Sequence, residues 1–410
     1  MGEKPSWVRF GELYAGPSRN GVNYPTRLRG SGTPMVNMRE IFAFDFIGDQ
    51  EMELVPLTER EERECLLGRG DLLFARQSLV REGAGRVVYV RDGPPRTWEG
   101  HLIRVRLDET QAESKYFYYF FRSPAGRSSI DAIVEQVAAA GIRGSDLAGI
   151  KVPLPPLPEQ RAIAEVLGAL DDKIEANREL AERAWELAVS WGIAQVNSVP
   201  GTLVRLEEVA DITKGVSYRS DDLRSGGGWL VSLKCVGQDG MFRQEGLKPF
   251  VGVAKAAQMV REGDVLVAQT DLTQRAAVIG RAVIVEAFGR TEPFAASLDF
   301  VVVQPRRGLS REVLFAVLSQ QDFRNHSLGF CNGTTVLHMG ALALPTFTFV
   351  LPPADVIGST TALMNTLFAR TRAARRENMA LAGLRDDLLP KLLLGELRVR
   401  DAESLVEDAV

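Results

Sequence analysis

The chain has 410 residues, of which 45% are hydrophobic and 25% charged, which suits a soluble globular protein of two or three domains. Its three Cys (Cys65, Cys235, Cys331) and three His (His101, His326, His338) are scattered, which argues against a disulfide framework and a zinc or other metal centre. With no cationic-then-apolar leader and no run of about 18 apolar residues, the expectation is a cytoplasmic protein with no membrane partner.

The net charge of −4 is unevenly spread. Residues 1–155 carry 21 basic and 21 acidic side chains, residues 156–200 carry 4 and 8, residues 201–351 carry 16 and 15, and residues 352–410 carry 8 and 9. The acidity therefore sits on one segment between near-neutral regions, and the total neither requires nor forbids a basic face. Arg outnumbers Lys 40 to 9, which suits bidentate contacts to guanine and phosphate, although coding bias explains it as well.

In chain order, Trp7–Leu13 opens the first region and a polar stretch runs from Gly16 to Gly32. Strands are expected at Met35–Arg39, Leu72–Arg76, Gly83–Val90 and Leu102–Leu107. Helices are expected at Lys115–Phe121 and Ile130–Ala139, and Thr58–Glu64 reads as an acidic helical or loop segment. Gly70-Asp71 supplies a turn before a buried strand. The prolines of Pro153–Pro158 then end the region, because each fixes φ and lacks an N–H. Beyond them no proline occurs until Pro200. Apolar and small residues recur in steps of four and three at Ile163, Leu167, Leu170, Ile174, Asn177, Ala181, Ala184, Ala188 and Trp191, a heptad seam with one polar position. Its length suggests a spacer; a long core helix of one globular domain is the alternative.

From Gly201 the order repeats. Leu203–Val209 answers the opening, Thr213–Gly228 the polar stretch, Gly263-Asp264 the Gly-Asp turn, and Pro352-Pro353 the proline run. Offsets drift only from 193 (Gly70 to Gly263) to 197 (Pro155 to Pro352), so the chain is read as an internal duplication. The second seam is Thr360, Met364, Leu367, Thr371, Ala374, Asn378, Leu381, Arg385 and Leu388, with Pro390 expected to distort or end its last turn. Two apolar stripes in one chain most simply bury against each other. The pair is antiparallel if each globular region begins and ends at one place, and Asn177 and Asn378 are then candidates for setting register.

No phosphate-binding loop, dinucleotide fingerprint, nucleophile elbow, deaminase motif or amino-methyltransferase motif occurs, so catalysis by this chain alone is not expected. A duplicated pair of heads on two helices suits a ligand with two recognition points, and duplex DNA is the obvious case. The polar stretches and strand ends supply the candidate contacts: Arg19, Asn20, Arg76, Gln77, Ser78, Arg81 and Arg143 in the first region. Lys214, Ser217, Tyr218, Arg219, Gln269, Thr270, Arg275, Asn332 and Thr334 are their counterparts in the second. A scaffold that binds proteins only is the alternative.

Residues Pro153–Glu182 resemble the central conserved helix of the specificity subunits of type I restriction–modification systems. Leu384–Leu397 resembles the C-terminal pattern of the same family, with Leu394 standing where a Ser is usual. The resemblance implies an α/β (α+β) fold: target recognition domains at residues 1–155 and 201–351, a central helix at 156–200, and a C-terminal helix and tail at 352–410. It further implies that the helices form an antiparallel coiled coil which sets the spacer of a bipartite DNA target. That coil would dock two methyltransferase subunits, joined by restriction/translocase subunits. S-adenosylmethionine, ATP and magnesium would belong to those partners.

Overall fold

The structure is a computed structural model that describes residues 6–136, 140–237, 239–272, 275–306, 308–407 and 409. The chain divides into two compact units, residues 1–174 with 380–410, and residues 175–379.

Each globular region is closed by pairing its first strand with its last. Ser6–Arg9 runs antiparallel to Lys151–Leu154, with Ser6 opposite Leu154. Thr202–Arg205 runs antiparallel to Thr348–Leu351, with Thr202 opposite Leu351. The proline run follows directly in each case, so a long helix starts where each region closes.

Between these ends, the first region forms a five-stranded sheet in the order Arg19–Asn20, Leu102–Val105, Leu72–Ala75, Val87–Val90, Phe46–Ile47. The strand Leu72–Ala75 is buried throughout, because alternate side chains enter different cores. Leu72 and Phe74 join the cluster around the helix Ser114–Arg122, whereas Leu73 and Ala75 join Val36, Ile41 and Trp98. The second region repeats this division: Val265 and Val267 face one core, Leu266 and Ala268 the other. A second sheet in each region holds one parallel pair, Thr33–Val36 with Thr97–Trp98, and Gly228–Val231 with Phe294–Ala296.

The Gly-Asp turns carry buried carboxylates. Gly70 and Gly263 have φ of 85° and 88°, in the left-handed region that favours glycine. Asp71, fully buried, accepts from Arg106 Nε and Nη2 at 2.7 Å each and from the Gly68 amide at 2.8 Å. Asp264 lies 2.9 Å from Arg311 Nη2 and accepts from the Arg261 amide at 3.0 Å.

The helix expected at Ile130–Ala139 is corrected. The helix spans Pro124–Asp131, capped by the Ser123 hydroxyl, and Glu135–Gln136 is a strand. That strand forms because it pairs with Ala140–Gly141, a partner that helical propensity cannot report. Residues 137–139 lie outside the described residues.

The long helices are Leu157–Ser198 and Ala354–Leu393, and the second continues three residues past Pro390. In the first unit Ile163, Leu167 and Leu170 are buried in one cluster with Leu381, Leu388 and Leu392. There Asp171 accepts from Arg385 Nη1 at 2.7 Å and from the Tyr119 hydroxyl at 2.6 Å. In the second unit the Thr371 hydroxyl lies 3.3 Å from the Ala181 carbonyl, and Gly192 abuts Met364, so the segments run antiparallel. Asn177 is buried and Asn378 half-buried; Ile174 and Leu367 are also only half-buried. The predicted seam holds as far as Ala188, which is fully buried, and fails at Trp191. Trp191 is 41% exposed, whereas Trp185 is buried against Phe315 and Phe368 and donates to the Asp239 carbonyl at 3.1 Å. Here the helix turns its apolar face toward the globular region as well as its helical partner.

Asp45, at the mouth of the edge strand Phe46–Ile47, accepts from Arg122 and, at 3.2 Å, from Arg86. Burial pushes this carboxyl up, but Arg122 and Arg86 outweigh it and hold it below its ordinary value. A depressed folded pKa means that the pairing stabilises fully above about pH 4 and that this stability is lost as pH falls through the lower folded value. Asp45→Asn should therefore flatten the acid limb of a Tm-against-pH profile, measured by differential scanning fluorimetry.

Candidate nucleic-acid interface

In each globular region a buried strand of the central sheet runs on into a small three-stranded ribbon. Leu72–Ala75 continues into Gln77–Ser78, which pairs with Ala140–Gly141, which in turn pairs with Glu135–Gln136. Val265–Ala268 continues into Thr270–Asp271, which pairs with Leu337–Met339, which pairs with Cys331–Asn332. The change from apolar to polar sequence at Arg76 and Gln269 marks the corner where the strand leaves one sheet for the other.

The first ribbon gathers several of the predicted contacts. Gln77 is exposed, opposite Gly141; Arg76 and Ser78 are half-buried. The Arg76 carbonyl accepts from the Ile142 amide at 2.9 Å, which brings the exposed Arg143 beside the corner. Arg143 makes a 2.8 Å ion pair with Glu135. Arg81 is exposed on the following loop and donates to the Asp131 carbonyl at 3.0 Å. Arg19 and Asn20 lie exposed on the edge strand, Arg19 3.5 Å from Glu64. Gly144 abuts Ser18, so the polar stretch and the Arg143 segment adjoin.

In the second region Asn332 lies exposed on the ribbon, with Thr334 and Arg275 exposed on loops. Lys214, Ser217 and Arg219 are exposed on the polar stretch, and the Lys248 ammonium sits 5.7 Å from the half-buried Tyr218 ring. Gln269 and Thr270 are corrected: they are 7% and 4% exposed and serve the fold. The Gln269 amide donates to the carbonyls of Leu298 and Phe300, and the Thr270 hydroxyl donates to Asp299 at 2.8 Å. Asp299 holds the corner amide of Gln269 as His101 holds that of Arg76. The Asp299 carboxylate takes the Thr270 hydroxyl inward, whereas Gln77 at the matching position of the first region is exposed.

Arg76, Arg81, Lys214, Arg219 and Arg275 make no ion pair among the described residues, so their charge is available to an anion. His338 was missed from sequence. It lies exposed on the central strand of the second ribbon, directly opposite both Thr270 and Asn332. Only the repeat could have signalled it, since it occupies the place of Gly141. Among the described residues no group of three or more His, Cys, Asp or Glu is placed to hold a metal ion, and no helix is long and apolar enough to cross a membrane.

Each copy of the duplicated α/β domain carries a three-stranded ribbon at a sheet corner and leads into a long helix. Residues 31–183 match the type I restriction modification DNA specificity domain. The chain is 22% identical over 411 residues to the type I restriction enzyme MjaIX specificity subunit of Methanocaldococcus jannaschii, covering 91% of this chain and 88% of that one. It is 27% identical over 214 residues to the EcoKI specificity subunit of Escherichia coli, covering 51% and 43%. A crystal structure of the type I restriction-modification S subunit of M. genitalium shares the fold, with a TM-score of 0.58 at 14% identity over 96% of this chain and 97% of that one. The chain is thus similar over most of its length to type I restriction–modification specificity subunits, and its residues 31–183 match that family's DNA specificity domain.

The corner residues make a paired prediction. Gln269→Ala should destabilise the protein by about 1–3 kcal/mol, because it strands buried carbonyls, whereas Gln77→Ala should leave stability unchanged. Urea unfolding of both variants checks this.

Proposed function

We propose that each globular region reads one half of a bipartite duplex DNA sequence, and that the two long helices set the unread spacer and dock two modification subunits. The observation that carries this reading is the repeated ribbon at a sheet corner, with exposed arginines nearby, Arg81 in the first region and Arg275 in the second, that make no ion pair among the described residues. Exposed Arg and Lys supply phosphate attraction; Gln77, Asn332 and His338 offer side-chain amides and an imidazole to base edges. The buried helix seam offers a reason for spacer control, since helix length is fixed by backbone hydrogen bonding and resists stretching.

On this reading the chain supplies recognition and its partners supply chemistry. S-adenosylmethionine would be held by the modification subunits, and ATP and magnesium by restriction/translocase subunits. The assembly would work on DNA in the cytoplasm.

Binding of the chain with its modification subunits to a duplex library tests the proposal. One bipartite sequence should be preferred over scrambled duplex, with affinity falling linearly in the logarithm of salt concentration. Absence of any preferred sequence would sink it. Inserting one heptad into the Leu157–Ser198 helix should change the preferred spacer and leave both half-sites intact, read by sequencing methylated DNA. Replacing residues 201–351 with the corresponding domain of a relative should change one half-site only; a change in both would refute independent heads.

A further inference from the structure

Directly after each ribbon strand stands a leucine that the fold does not use. Leu79 is 97% exposed and Leu272 is 70% exposed. Single exposed leucines are ordinary on protein surfaces and need no explanation. The duplication places these two at the same point beside the ribbons, and the loops that follow them are braced in the same way.

The brace is an arginine. Arg127, on the helix Pro124–Asp131, donates from Nη1 to the Ala84 carbonyl at 2.8 Å and from Nη2 to the Arg81 carbonyl at 3.4 Å. Arg324, on the helix Gln321–Gly329, donates from Nη1 to the Ile279 carbonyl at 3.2 Å and from Nη2 to the Ala276 carbonyl. Each loop ends on a glycine in the left-handed region, Gly85 at φ 72° and Gly280 at φ 73°. A β-carbon at Gly85 would lie 2.3 Å from Ile130 Cγ2, and one at Gly280 would lie 2.9 Å from Ser327 Cβ. The loop starts are tied as well. Ser78 Oγ accepts from the Val80 amide at 3.2 Å, and the buried Asp271 carboxylate accepts from the Val278 amide at 2.7 Å. The described residues that follow each leucine are therefore tied to the fold.

An apolar side chain held out in water contributes nothing to folding, since it is solvated in both states. It gains when a partner covers it. The neighbours on the ribbon are polar groups suited to base edges, and the groove they would face also displays the thymine methyl and ring C–H edges. We propose that Leu79 and Leu272 are base-contacting, specificity-determining residues, each pressed against the apolar base edges of its half-site. This rests on the DNA-reading function proposed above.

The test uses the full chain assembled with its modification subunits, at one salt concentration. Affinities are measured for the target duplex, for every single-base-pair variant of each half-site, and for scrambled duplex. Leu79→Ala should weaken target binding about tenfold and leave scrambled duplex within about twofold. It should flatten discrimination in one half-site only. Leu272→Ala should do the same in the other half-site, and Leu79→Met should retain most of the wild-type preference. Unchanged target affinity in both alanine variants, or equal loss on target and scrambled duplex, would overturn the assignment. So would a lowered Tm in both variants, which would give the leucines a structural role. If the wild-type assembly itself does not distinguish target from scrambled duplex, the DNA-reading function fails first and the leucine assignment falls with it.

Discussion

The antiparallel pairing of first strand with last is the constraint on which each globular region depends. Ser6–Arg9 against Lys151–Leu154, and Thr202–Arg205 against Thr348–Leu351, bring the chain back to where it entered. Only then can a proline run lead straight from a finished domain into a long helix. The same closure makes duplication workable. A unit that begins and ends at one point can be inserted between helices without rearranging them.

Within each region, the period of a strand partitions the core. Four consecutive buried residues in Leu72–Ala75 and in Val265–Ala268 serve two cores, one on each sheet face. The Gly-Asp turn before each strand then buries a carboxylate, and a buried charge without a partner is costly. The two copies meet that demand differently. Arg106 lies just beyond the strand Leu102–Val105, whereas Arg311 opens the helix Arg311–Leu318. The carboxylate is the repeated feature, and the cation that answers it comes from whichever element lies within reach.

The ribbons show the same latitude. The corner is common to both regions, but Gln77 is exposed and Thr270 is drawn in by Asp299. A common backbone with different outward side chains is what the proposed reading of two different half-sites requires.

The sequence by itself determined the duplication, the proline boundaries, the long helices and the first part of their seam, because these follow from local chemistry and from periodicity along the chain. Ile163, Leu167 and Leu170 show this, as does Met364. Tertiary structure alone decided the rest. Glu135–Gln136 is a strand because a partner strand lies beside it, and Trp185 is buried in preference to Trp191 because a globular region packs there. Gln269 and Thr270 read as free donors until Leu298, Phe300 and Asp299 are seen to receive their hydrogen bonds. A polar residue after a buried strand is available or spent according to what folds against it, and that neighbour stands about thirty residues away in the chain.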